Sequence, residues 1–126
     1  MNPDASVPIL VVDDYRTMVR IVREQLARLG FTDVDDAANG EEALAKLRAR
    51  KYGLVISDWN MEPMNGIELL RRVRAEFADP IRFIMLTADS RTDNVVAARR
   101  AGVDTYLVKP FTAQTLKAKI ESALAA

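Results

Sequence analysis

Apolar side chains along this chain fall into two alternating kinds of pattern. Short runs at Pro8-Ile9-Leu10-Val11-Val12, Leu54-Val55-Ile56, Ile81 to Leu86 (broken by Arg82) and Val103 to Val108 (around Asp104 and Thr105) lack clean alternation. Runs of that length and character are expected of strands buried on both faces, as in a parallel sheet. A further strand, Thr32 to Ala37, is placed mainly by its alternation.

Between the runs the spacing turns helical. Met18, Ile21, Val22, Leu26 and Leu29 recur at three- and four-residue steps, with Arg16, Arg20, Arg23 and Arg28 on other faces and Gly30 standing at the terminus. That stretch predicts a helix of about four turns. Ala43, Leu44 and Leu47 make a second stripe, Leu69, Leu70, Val73 and Phe77 a third, and Val95, Val96 and Ala98 a fourth closed by Gly102. Leu116, Ile120 and Leu124 make the last, with Thr112 at a plausible N-cap. Asn39-Gly40 and Asn65-Gly66 would ordinarily mark hairpins, but a helical pattern follows each, so both are read as strand-to-helix loops. Strand and helix thus alternate five times, the pattern of βα units joined by right-handed crossovers into a five-stranded parallel sheet of the α/β class.

Length is consistent with this: 126 residues read as one domain over 1–126, with residues 1–7 as an N-terminal tail. Lysine plus arginine and aspartate plus glutamate number 18 each, so no net charge draws the whole molecule to nucleic acid or to an anionic bilayer. Electrostatic function must then be local. Cysteine and histidine are both absent, which excludes disulfides, thiolate or imidazole metal sites, His-dependent triads and any phosphohistidine on this chain. No apolar run approaches the roughly 20 residues of a membrane span, and Met1 to Ser6 lack signal-peptide character, so no membrane insertion and a cytoplasmic location are expected.

Chemistry therefore falls to carboxylates, hydroxyls and lysines. In an open parallel sheet, ligands bind beyond the carboxyl ends of the strands, where loops and helix N-termini converge. The first strand runs out into Asp13 and Asp14, the third into Asp58, the fourth into Thr87 and the fifth into Lys109. Taken singly, each has an ordinary explanation: Asp13 and Asp14 as helix caps, Asp58 as a loop acid, Thr87 as a capping hydroxyl, Lys109 as a surface lysine. Their joint placement on one rim points to chemistry instead. Two carboxylates roughly 4 Å apart repel by about 4 kcal/mol at an effective dielectric near 20, so three together require a counter-charge or bound protons. Mg²⁺ satisfies that need, since it takes hard oxygen ligands and is commonly held by one or two carboxylates plus phosphate oxygens. Beside such an ion a carboxylate becomes a plausible nucleophile toward phosphorus, with Lys109 and Thr87 holding the transferred group.

Val11-Val12-Asp13-Asp14, Ser57-Asp58-Trp59-Asn60-Met61, Leu86-Thr87-Ala88 and Lys109-Pro110-Phe111 stand in an order that resembles the receiver domains of two-component response regulators, most closely the single-domain chemotaxis type. The resemblance covers essentially the whole chain. It implies a doubly wound, flavodoxin-like (βα)5 domain with strand order 2-1-3-4-5. It implies that Asp58 is the phosphoacceptor and that Asp13, Asp14 and the main-chain carbonyl of Asn60 position Mg²⁺. It also implies that Thr87 is the switch hydroxyl, that Tyr106 is the aromatic coupled to it, that Lys109 is the phosphate-binding amine, and that the Lys109-Pro110 bond is cis. Asn60 and Asp89 fall where such domains tune their rates. The phosphoryl donor would be a sensor histidine kinase or phosphotransfer protein, necessarily a separate molecule. With no room for an output domain, the signal would leave by contact with a downstream target protein on the face built by the fourth helix, fifth strand and fifth helix. Such a domain catalyses only its own phosphorylation and dephosphorylation and is not an enzyme in the usual sense.

The chain departs from the family at one point. Proline usually stands four residues after the acceptor, but here that position is Glu62 and the proline is Pro63. Glu62 adds a negative charge beside the pocket, for which altered phosphorylation or metal affinity is expected. Phosphorelay intermediate and phosphate sink are alternative roles for the same domain. A small Mg²⁺-dependent aspartyl-phosphate phosphatase of the haloacid dehalogenase type needs a second acid two residues after the nucleophile, where this chain has Asn60. A flavin-binding domain on the same fold would need a hydroxyl- and glycine-rich first loop, where this chain has acids.

Overall fold

The computed structural model describes residues 6–78, 81–88 and 92–125. Five strands and five helices alternate as β1 (Ile9–Val12), α1 (Arg16–Arg28), β2 (Val34–Ala37), α2 (Gly40–Ala49), β3 (Leu54–Asp58), α3 (Gly66–Glu76), β4 (Arg82–Thr87), α4 (Thr92–Ala101), β5 (Thr105–Val108) and α5 (Ala113–Ala125). The strands form one all-parallel sheet in the order β2-β1-β3-β4-β5, as expected.

Side chains alternate across a strand, so each buried strand feeds two cores. Leu10, Val12, Val55, Phe83 and Met85 pack with Ala43, Leu44, Leu47, Leu69, Leu70, Val73 and Ala98 from α2, α3 and α4. Ile9, Val11, Leu54, Ile56, Ile84, Leu86 and Leu107 pack on the other face with Val22, Leu26, Leu116 and Ile120 from α1 and α5. Helices on both faces explain why the strands read as apolar runs rather than alternating ones.

Local chemistry sets the helix ends. Asn39 Oδ1 accepts the Glu42 N–H at 2.8 Å, Asn65 Oδ1 accepts the Glu68 N–H at 2.9 Å, and Thr112 Oγ1 accepts the Thr115 N–H at 3.1 Å. Both Asn-Gly pairs thus start helices, as read from the sequence. Helix α1 ends with Gly30 at φ 97°, the Gly30 N–H bonding Ala27 O and the Phe31 N–H bonding Leu26 O. Gly102, at φ 93°, closes α4 through the same pair of bonds, to Arg99 O and from Val103 to Ala98 O.

The helical stripes shift in two places. In α1 the residues against the sheet are Val19, Val22 and Leu26; Ile21 is 38% exposed, because neighbours in a helix lie about 100° apart and Val22 takes the inward position. In α4, Val96 is 39% exposed and Ala98 is buried. The last strand starts at Thr105 rather than Val103, whose N–H is already committed to the α4 terminus.

Candidate functional site

The sheet's order brings the carboxyl ends of β1 and β3 side by side, Val12 pairing with Ser57, so Asp13 and Asp58 emerge next to each other. Carboxylate oxygens of Asp13, Asp14 and Asp58 lie within 4.8 Å of one another. Asp13 and Asp58 are buried while Asp14 is exposed, so the group sits at the bottom of an open rim.

Asp13 is the most constrained of the three. Its Oδ1 accepts the Tyr15 N–H at 2.9 Å, while its Oδ2 is buried without a hydrogen-bond partner. Burial pushes its carboxyl up to about 6, with Asp58 and Asp14 adding to the rise and the Tyr15 N–H and Lys109 opposing it. A buried carboxylate oxygen without a hydrogen-bond partner, among two further carboxylates, is a donor that a cation would stabilise. Hard oxygen donors in this number fit a small dication.

Asp58 ends β3 and is held from several sides. Lys109 reaches it from beyond β5, its Nζ donating to Asp58 Oδ1 at 2.5 Å. Ser57 Oγ donates to the Asp58 carbonyl at 3.0 Å, and the following Trp59 N–H donates to Leu86 O at 2.9 Å, fixing the strand end against β4. The same carbonyl passes close to Gly66, where a Cβ would lie 2.5 Å from it. Only glycine admits that approach, which lets α3 start directly under the site.

Thr87 is buried at the end of β4, and its carbonyl accepts the Lys109 N–H at 2.7 Å, which ties the two strand ends together. Tyr106, on β5, is half-buried, and Lys119 Nζ on α5 stands 5.3 Å from its ring centroid. Asn60 and Glu62 are exposed in the loop leaving β3, and Glu62 does not join the carboxylate group. Asp89 lies outside the described residues. Both Glu62-Pro63 and Lys109-Pro110 are cis.

The structure thus brings together Asp13, Asp14, Asp58 and Lys109. Sequence reasoning missed Ser57, Gly66, the Tyr15 amide and Lys119. Gly66 had a signal, the Asn65-Gly66 pair, but its pairing with Asp58 depends on a backbone crossing that spacing does not encode.

A family model described as the response regulator receiver domain matches residues 9–121. The chain is 47% identical over 114 residues to the chemotaxis protein CheY of Pseudomonas aeruginosa, covering 90% of this chain and 92% of that protein. It is 43% identical over 117 residues to the chemotaxis protein CheY-3 of Vibrio cholerae, covering 92% and 90%. Among solved structures, the Vibrio cholerae chemotaxis protein CheY4 matches with a TM-score of 0.86 at 30% identity, covering 94% of this chain and 99% of that one. With a match that runs from the first strand into the last helix, the chain belongs to the response regulator receiver domain family.

Proposed function

We propose that this protein is a phosphoacceptor switch of the chemotaxis type, in which Asp58 takes a phosphoryl group from a phosphohistidine on a sensor kinase or phosphotransfer protein. The observation that carries the reading is the position of Asp58: buried, beside two further carboxylates, with the Lys109 ammonium 2.5 Å from its Oδ1. A carboxylate in that setting stands at the foot of an open rim where phosphorus could approach, and it is flanked by a cation able to neutralise the added charge.

Asp13, Asp14, Asp58 and the carbonyl of Asn60 would hold Mg²⁺, which fits the unpartnered Asp13 Oδ2. When bound, the ion supplies charge neutralisation for the phosphoryl oxygens. In the transfer, an Asp58 carboxylate oxygen bonds to phosphorus as the donor's nitrogen–phosphorus bond breaks, and the imidazole leaves with that electron pair. Lys109 follows the new negative charge, since its ammonium already bridges β5 to Asp58. The Thr87 hydroxyl, at the adjacent strand end, would donate to a phosphoryl oxygen. Water later takes the phosphoryl group, releasing inorganic phosphate and restoring the carboxylate. The reaction therefore resets a signal and does not turn over a substrate.

Phosphorylation adds roughly two negative charges at neutral pH. A shift of Thr87 toward the phosphoryl group would be followed by Tyr106, biasing the face formed by α4, β5 and α5, through which a downstream protein is contacted. The relatives named above as chemotaxis proteins support that assignment over a phosphorelay or sink role. Residence in the cytoplasm belongs to the same reading. Glu62 would slow attack by anionic donors or reach the ion through water. No feature of the site favours the phosphatase or flavin readings.

The test is incubation with acetyl phosphate and Mg²⁺ followed by intact mass. One phosphoryl increment is expected on the native protein and none on Asp58→Asn, and equal adducts on both would refute the acceptor assignment.

A further inference from the structure

A trough of about 620 Å³ lies away from the acidic rim, between α1 and β2. It exists because β2 is the outer strand of the sheet and α1 covers only part of its face. Val19, Ala27, Phe31 and Val34 give the trough an apolar floor, and Arg16, Arg20 and Arg23 line its wall with Glu24 and Asp36.

Charge is distributed unevenly here. The chain as a whole has no net charge, yet α1 carries Arg16, Arg20, Arg23 and Arg28 against Glu24 alone. Asp36 absorbs two of these guanidinium groups, from Arg16 at 3.1 Å and Arg23 at 2.7 Å. Arg20, between them along the helix, has no ion-pair or hydrogen-bond partner among the described residues. The other acids in and just before β2 are already engaged, Asp33 by Arg50 and Asp35 by Arg50 and Tyr52. Against Glu24 and Asp36, the three arginines leave the trough with one surplus positive charge, at Arg20, above an apolar floor.

We propose that this trough docks an acidic segment of a partner protein, with one carboxylate facing Arg20, further carboxylates sharing the guanidinium groups of Arg16 and Arg23 with Asp36, and an apolar side chain seated on Val19 and Phe31. Three features select that occupant. Arg16, Arg20 and Arg23 are spaced by about 6 and 4.5 Å along the helix axis, within side-chain reach of carboxylates roughly 6.6 Å apart at alternate positions of an extended chain. The wall is open, the Arg16 side chain being 63% exposed, so a small molecule would remain largely wetted where a peptide would cover the length of the trough. Pairing of a new strand onto β2 is disfavoured because Lys46 already donates to the Asp36 carbonyl. Recognition through side chains is what remains. The surface is separate from the phosphoacceptor reading and stands or falls independently of it.

The test uses a short, fluorescently labelled peptide of alternating glutamate and leucine, with lysine–leucine and polyglutamate peptides, an anionic phospholipid vesicle and duplex DNA as comparators. Expected are saturable binding of the glutamate–leucine peptide at low salt and amide shifts confined to α1 and β2. Binding should weaken about fivefold with Arg20→Gln and more with Arg20→Glu. Binding should also persist in Asp58→Asn and in Arg99→Glu, which makes the same charge change on α4. Equal weakening by Arg99→Glu, shifts mapping elsewhere, or preferential capture of vesicles or DNA would overturn the proposal. Because Arg20 is exposed, circular dichroism of the variants is expected to match the native protein.

Discussion

Replacing Asp13 by asparagine should make the metal-free protein more stable at neutral pH while removing its response to Mg²⁺. Asparagine keeps an oxygen for the Tyr15 N–H and puts an amide donor where Oδ2 now lies buried without a partner. Burial, helped by Asp58 and Asp14, raises the Asp13 carboxyl from 3.8 to about 6. A carboxyl raised by folding carries a penalty fully present above pH 6 and lost as pH falls from about 6 toward 3.8. At 1.36 kcal/mol per pH unit, that rise has a ceiling of about 3 kcal/mol. Water reaching the open rim beside exposed Asp14 reduces it to about 1.5 kcal/mol, or roughly 6 °C in melting temperature. Urea denaturation in chelator should therefore find Asp13→Asn the more stable protein at about pH 7.5, with the gap roughly halved near pH 5 and closed near pH 4. Added MgCl₂ should then stabilise the native protein and leave the variant nearly unchanged. If the two proteins unfold together at about pH 7.5 without metal, or if their difference ignores pH, the account of a strained acidic pocket is wrong.

Three further outcomes follow from the same geometry. Lys109→Met strands the buried Asp58 carboxylate, so it should cost about 1–3 kcal/mol in urea melts and cut the yield of the acetyl phosphate adduct. Gly66→Ala would press a Cβ to 2.5 Å from the Asp58 carbonyl and 2.6 Å from Met85 Sδ, whereas Gly40→Ala meets only the flexible Met64 side chain. Gly66→Ala should then lose both stability and phosphorylation rate, and Gly40→Ala mainly a little stability, as read by melting temperature and adduct formation. Glu62→Asn should accelerate phosphorylation by acetyl phosphate, measured as tryptophan fluorescence change or adduct accumulation. An unchanged Mg²⁺ dependence together with an unchanged acyl-phosphate lifetime would remove Glu62 from the site's chemistry.

The fold was legible because its determinants are local and repeated. Strands such as Ile9–Val12 and Leu54–Asp58 are buried on both faces, so every position is apolar whichever way it points. Asn39, Asn65, Thr112, Gly30 and Gly102 punctuate the helices by hydrogen bonds that reach only a few residues. Helix faces were less secure where two apolar neighbours compete, as with Ile21 and Val22, because the choice of inward residue depends on where the sheet lies.

By itself, then, the sequence determined the alternation of strands and helices and put Asp13, Asp14, Asp58, Thr87 and Lys109 at strand ends, since both follow from hydrophobic period and chain order. Tertiary structure alone decided which of those ends meet. Asp58 and Lys109 are separated by 51 positions and become partners only because β4 lies between β3 and β5. The unpartnered oxygen of Asp13, the close pass of Gly66 beneath Asp58, and the cationic trough beside β2 belong to the same class. Each is set by distances between segments remote in the chain, and those distances are fixed only when the sheet assembles and its two cores are packed.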